Sequence, residues 1–343
     1  MGYRQVDNKQ KEMYLMSVQK GIFSISLDFE LYWGMQDKYT IDQYRTNLDG
    51  VENAIHKMLE VFDQYDVHAT WATVGFLFAN DSKDLKLHIP DNQPLYFNKQ
   101  LNPYRYVRNT QKLENHYHFA PELISKINSY KGQEIGTHTF SHYYCLEGGQ
   151  TKEQFRDDIK AAVAIAADKN IKLKSLVFPR NQWNNEYLSI LNECGISCYR
   201  GNEKSWLYKA ANTENSKLFK RAIRLIDAYF NLSGDNCYNL KDLTKTKPYD
   251  IPSSRFLRPF SQKLSVIDGL RIMRIKKAIS YAARTGKLYH LWWHPHNFGS
   301  NTDENLSILK DILFFYEKMN KQYGMYSLNM GEIADKLDLI NNS

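Results

Sequence analysis

The chain has 343 residues, 43% of them hydrophobic and 24% charged, with 45 Lys and Arg against 38 Asp and Glu and a formal net charge of +7. That composition is ordinary for a globular protein, and no run of about 18 apolar residues is present to span a bilayer. The positive balance suits an acidic glycan or a peripheral contact with an anionic membrane surface. Without a block of five or six Lys and Arg it argues against nucleic acid.

Residues 1–20 are polar and charged with no apolar signal-type segment, so they read as a poorly ordered leader and a cytoplasmic location follows by default. Gly21 to Leu27 then alternates small and apolar residues as a buried strand does, and it ends on Asp28-Phe29-Glu30. Side chains two apart on a strand share a face, so both carboxylates can look into one pocket at the strand's C-terminal end, where α/β folds build their sites. From Asn53 to Tyr65 apolar residues fall at helical spacing, and Val67 to Phe78 reads as a second strand. Residues 80–120 are a long polar connection with Pro90, Pro94 and Pro103, expected to form a functional loop over one barrel rim.

Pro121 suits the first turn of a helix to about Tyr130, and Glu134 to Gly136 leads as a short strand into His138 and His142. Two imidazoles four residues apart point the same way from one helical turn or a tight loop, which suits a divalent metal needing two nitrogen ligands. Thr151 and Gln154 form a capping-box pattern opening a helix toward Ala167. Ser175 to Phe178 is the next strand, Glu186 to Cys194 a helix stopped by Gly195, and Ile196 to Arg200 a strand again. Residues 202–285 interrupt the rhythm with helical, Pro-marked segments. Within them Lys217 to Phe230 carries an apolar stripe and a basic face, the pattern of an ordinary packing helix. Lys287 to Trp293 resumes a strand, Leu306 to Lys318 a helix, and Gly324 to Leu328 a last strand. The four cysteines, Cys145, Cys194, Cys198 and Cys237, lack a second closely spaced pair and read as reduced, mostly buried thiols.

The chemistry gathers just past the expected strands: Asp28 and Glu30, His138 and His142, Arg180, then His294-Pro295-His296. One carboxylate, from Asp28 or Glu30, with two histidines makes an open ligand set for Zn²⁺ or another divalent ion. One further acid and one further histidine remain for proton transfer, as hydrolysis of an amide or ester requires.

These stretches resemble the polysaccharide deacetylases, the family 4 carbohydrate esterases. Ser26 to Glu30 is similar to the family's acidic first motif, and Glu134 to His142 to its metal-binding second motif almost residue by residue. Phe178 to Asn181 occupies the place of the arginine- and proline-containing motif, Leu291 to His294 that of the late motif ending in a histidine, and Ala69 to Gly75 resembles the second strand. The likeness spans roughly residues 22–200 and 286–338. It differs in two places: Phe29 separates two acids that are adjacent in the family, and Arg180 follows Pro179 rather than preceding a proline.

The resemblance implies an irregular TIM-like (β/α) barrel over residues 21–340, a single domain with insertions at about 80–120 and 202–285. It implies a metal-dependent hydrolase removing an N-acyl, first of all N-acetyl, group from an amino sugar in a glycan or surface-polysaccharide precursor. The metal would be Zn²⁺ (Co²⁺, Mn²⁺, Fe²⁺ and Ni²⁺ suit the same donors), held by Glu30, His138 and His142. Asp28 would be the base, His294 the acid, and Arg180 the group orienting Asp28. Trp33, Trp183 and Trp293, with Trp292 beside it, are candidates to stack on a pyranose, and His296 to touch substrate. A hydrolase of a small cyclic amide or ureide, and a non-catalytic glycan-binding barrel, are the alternatives.

Overall fold

In the computed structural model the protein is described over residues 20–211, 218–243 and 245–342, so residues 1–19 of the expected leader lie outside the described residues. Nine parallel-paired strands form one sheet: β1 (Ile22–Phe29), β2 (Ala69–Thr73), β3 (Gln133–Thr137), β4 (Ser175–Val177), β5 (Cys198–Arg200), β6 (Tyr249–Asp250), β7 (Arg255–Phe256), β8 (Leu288–Trp293) and β9 (Tyr326–Ser327). Their order is β6-β5-β4-β3-β2-β1-β8-β7, with β9 beside β1. The principal helices are α1 (Ile41–Asp49), α2 (Val51–Gln64), α3 (Pro121–Asn128), α4 (Lys152–Asp168), α5 (Leu188–Glu193), α6 (Leu218–Tyr229), α7 (Asp268–Thr285), α8 (Thr302–Tyr323) and α9 (Met330–Asn341).

The period of two along each strand divides the molecule into layers. Phe23, Ile25, Leu27 and Phe29 of β1 and Tyr289, Leu291 and Trp293 of β8 join the main hydrophobic cluster with Ile55, Leu59 and Phe62 of α2 and Leu309 and Leu313 of α8. Burying each such side chain contributes about 1.5–3 kcal/mol. The opposite parity is polar: His290 binds Ser26 at 2.9 Å, and Arg200 of β5 reaches Ser26 and Asp28 of β1 although three strands separate them in the sheet. Such contacts require a sheet curled around a polar interior. At the opposite end Met330, Ile333 and Leu337 of α9 pack with Ile22, Ala72 and Leu288. Glu134 anchors that end by accepting from Thr70, Ser175 and the Gly331 N–H.

The two edges of the sheet meet on a single segment. Tyr249 and Ile251 donate to the β5 side (Ser197 and Tyr199), whereas Ser254 and Leu257 donate to His290 and Trp292 of β8. β6 and β7 are two residues each and flank Pro252, too short to leave an alternation, so they pass for loop inside 202–285. Part of that expected insertion therefore belongs to the barrel: α7 also buries Ile275, Ile279 and Ala282 against it.

The Thr151 capping box is present on α4, with Thr151 Oγ1 accepting from the Gln154 N–H and Gln154 Oε1 from the Thr151 N–H. Helix α6 differs from the expected packing helix. Phe219 is 73% exposed, and Leu225, Ile226 and the following Phe230 and Leu232 are exposed too, while Asp227, Ala228 and Tyr229 turn inward. Asp227 explains the inversion: its carboxylate pairs with both Arg255 and Arg274 and also accepts from Tyr208. No disulfide links the cysteines. Among the described residues no helix is long and apolar enough to cross a membrane.

Candidate metal and catalytic centre

Asp28 is the last inward position of β1, and Glu30 follows the strand in a short 3-10 turn; each is 3% exposed. Gly34 lies against Glu30 so closely that a Cβ there would come within 2.1 Å of its carboxyl. His138 ends β3. The link from His138 to His142 is no helical turn, because Thr139 and His142 both have positive φ, 65° and 57°. The loop brings the imidazoles to 5.0 Å between centroids and aims both Nε2 atoms at Glu30 Oε2, at 3.3 and 3.0 Å. The ligand atoms of Glu30, His138 and His142 all lie within 4.8 Å of one another.

The electrostatics favour ligand forms of these groups. Burial pushes the Glu30 carboxyl up, but His294, His138 and His142 together outweigh it and hold it well below the usual range. Burial lowers His142 to about 4, so its ring is neutral near pH 7 and its Nε2 lone pair is available, while Tyr144 OH lies 3.0 Å from Nδ1. An ionised carboxylate with two imidazoles, one of them neutral near pH 7, is a donor set that fits a divalent cation such as Zn²⁺.

Asp28 is held differently. Arg200 donates to both its oxygens, at 2.6 and 2.8 Å, to Ser26 Oγ at 3.0 Å and to Asn181 Oδ1 at 3.0 Å, and its guanidinium lies 4.2 Å from the Trp292 ring. Burial raises the Asp28 pKa, and Arg200, then His138 and His294, reverse that and lower it. The contact expected of Arg180 is thus made by Arg200. Arg180 pairs with Asp37 and lies 4.5 Å over Tyr144, one step behind His142. His294 Nε2 stands 3.7 Å from Asp28 and 3.8 Å from Glu30, and at 22% side-chain exposure it is the member of the cluster most open to solvent. His296, expected at the substrate, is buried with Nδ1 3.9 Å from Glu30.

Of nine non-glycine residues with positive φ among those described, Leu31, Thr139, His142, Arg180 and Asn181 flank this centre. Each such conformation costs of order 1–3 kcal/mol and persists only where the surroundings impose it. For the histidine loop Asp158 of α4 does so: it accepts from the N–H groups of Phe140, at 2.7 Å, and Ser141, at 3.2 Å, and from the Ser141 hydroxyl. Replacing Asp158 by Asn turns an amide NH₂ toward those donors. The expected result is a loss of about 1–3 kcal/mol in urea unfolding with weaker metal retention. A variant as stable and as metal-loaded as the parent would show that the loop does not depend on Asp158.

Residues 44–199 match the family model for polysaccharide deacetylase. Over that span, a little under half of its length, the chain is similar to the polysaccharide deacetylases. The matched span contains His138, His142 and Arg180; Asp28, Glu30, Arg200 and His294 reach the centre from outside it. The fold is similar to that of the "putative polysaccharide deacetylase from Mycobacterium smegmatis", at 14% identity and a TM-score of 0.56, with 94% of this chain and 92% of that chain covered. It is also similar to the allantoinase Puue, at 12% identity and a TM-score of 0.54, with 93% and 89% covered. No curated protein matches in sequence.

Two of the tryptophans singled out for stacking are interior residues. Trp33 donates to the His118 carbonyl from the core, and Trp293 stacks on Phe298. Trp183 is half-buried against Tyr199. The half-buried Trp292 shares strand parity with His294 and stands 5.7 Å from it, which parity alone would have revealed. Arg200 carried a similar signal, since it ends a strand as Asp28 does.

Proposed function

We propose that the protein hydrolyses the amide of an N-acylated, first of all N-acetylated, amino sugar to the free amine and the carboxylic acid. The observation that carries this reading is the convergence of Glu30, His138 and His142 beside a separately held acid, Asp28, and a half-open histidine, His294. Polysaccharide deacetylases of this type generally use a divalent metal. Held by Glu30, His138 and His142, such an ion, Zn²⁺ first by donor set, supplies a water of lowered pKa and polarises the acyl carbonyl.

The remaining chemistry belongs to side chains. Asp28 accepts the proton of the attacking water, and Arg200 fixes both carboxylate oxygens so that one lone pair stays directed at the reaction volume. His294, within 4 Å of both carboxylates, stays close to the reacting atoms and delivers a proton to the leaving amine. Arg180 acts at one remove, through Tyr144 on His142. Trp292 is the ring presented to the sugar. A cytoplasmic role on a precursor of surface polysaccharide completes the reading.

The test is acetate release from N-acetylated amino sugars by purified protein, alongside elemental analysis. Hydrolysis together with about one equivalent of divalent metal supports it. Hydrolysis of small cyclic amides or ureides alone redirects it, and a metal-free chain inert to both classes overturns it.

A further inference from the structure

Trp292 and Phe256, whose rings stand 5.7 and 5.8 Å from His294, also line a cleft of about 650 Å³. It is lined by cations. Arg180 is matched there by Asp37 and Arg255 by Asp227. Lys209, Lys220, Arg224 and Arg258 have no carboxylate partner among the described residues. Arg224 donates to the Leu207 carbonyl and lies over the Tyr208 ring, neither of which neutralises it. Among the described residues the lining holds one acid, Glu203, which burial pushes up. Burial also lowers Arg258, with Arg271 adding a like charge.

Four cations without a carboxylate partner among the described residues give the cleft a positive field that favours a ligand carrying negative charge. A single carboxylate brings one charge, whereas a phosphate monoester or a diphosphate brings two or more. Trp292 and Phe256 border both, lining the cleft and standing 5.7 and 5.8 Å from His294, so an anion in the cleft is within reach of a sugar whose acylamino group is at the metal centre.

We propose that this cleft binds a phosphate or diphosphate attached to the amino sugar, making the substrate a phosphorylated N-acylated sugar rather than a neutral oligosaccharide. This rests on the deacylase reading above. Two sources share the chemistry, a nucleoside-diphosphate sugar and a lipid-linked glycosyl diphosphate. Helix α6 contributes Lys220 and Arg224 to the cleft, while Phe219, Leu225 and Ile226 are exposed.

The experiment compares N-acetylglucosamine 1-phosphate with neutral N-acetylglucosamine, by calorimetric binding and by kinetics, in the metal-loaded full chain and in Lys209→Gln/Lys220→Gln. Neither lysine makes a hydrogen bond or ion pair among the described residues, and metal content serves as the control for folding. The expected result is at least ~10-fold tighter binding of the phosphorylated sugar, a ratio that shrinks by about 10-fold in the double variant and falls with added salt. Arg258→Gln provides a second variant with the same expectation. A nucleoside-diphosphate N-acetyl sugar in solution, and a lipid-linked one in mixed vesicles, identify the source, and turnover of either supports the proposal. Equal affinity for phosphorylated and neutral sugars, or equal preference for an N-acetylated uronic acid, overturns it while leaving deacylation intact. If no sugar is hydrolysed, the deacylase reading fails, and loss of phosphate-dependent binding in the double variant still decides the cleft.

Discussion

Alanine at both His138 and His142 should strip the bound divalent ion and lower kcat/KM by at least about 10³-fold, because water without a metal partner has a pKa near 15.7 instead of about 7. Two of the three donors within 4.8 Å of one another disappear, and Glu30 alone cannot retain the ion. The single variants should each lose nearly as much as the pair, since an incomplete ligand set acts as none. Elemental analysis and titration calorimetry measure the loss, and circular dichroism checks the fold. Because both rings are buried, His138→Gln and His142→Gln offer variants closer in volume. A metal-free double variant that keeps full hydrolysis would sink the scheme.

Arg200→Leu should cost about 3–5 kcal/mol in denaturant unfolding, because it leaves the Asp28 carboxylate buried without its cation. Arg200→Lys cannot donate to Asp28, Ser26 and Asn181 from one planar fork, so it recovers only part of the loss. Combining Arg200→Leu with Asp28→Asn removes the stranded charge and should regain stability without regaining activity. A loss below about 1 kcal/mol for Arg200→Leu would mean that Asp28 is held by something other than the guanidinium.

Much of the barrel was legible because local periodicity reports burial directly. Strands β1, β2, β3, β4, β5 and β8 lie where alternation or short apolar runs put them, and the capping box at Thr151 opens α4 as its residue types require. Strands β6 and β7 left no such trace. Their conformation is imposed by the open edges of β5 and β8, not by their own two residues. Helix α6 had a readable stripe but an unreadable orientation, since Asp227, paired with Arg255 and Arg274, decides which face turns inward.

The same division runs through the centre. By itself the sequence determined that acids end β1, that two histidines follow β3 four residues apart, and that a histidine follows β8, because strand parity and spacing are properties of a few consecutive residues. Only the tertiary structure decided that Arg200 rather than Arg180 grips Asp28, a contact between residues 172 apart in the chain. It also decided that Trp292 rather than Trp293 faces the site, and that cations from separate segments, without a carboxylate partner among the described residues, line one cleft with Trp292. Those outcomes depend on how far the sheet curls and on which side chains then meet across its interior. A one-dimensional pattern carries no term for that distance.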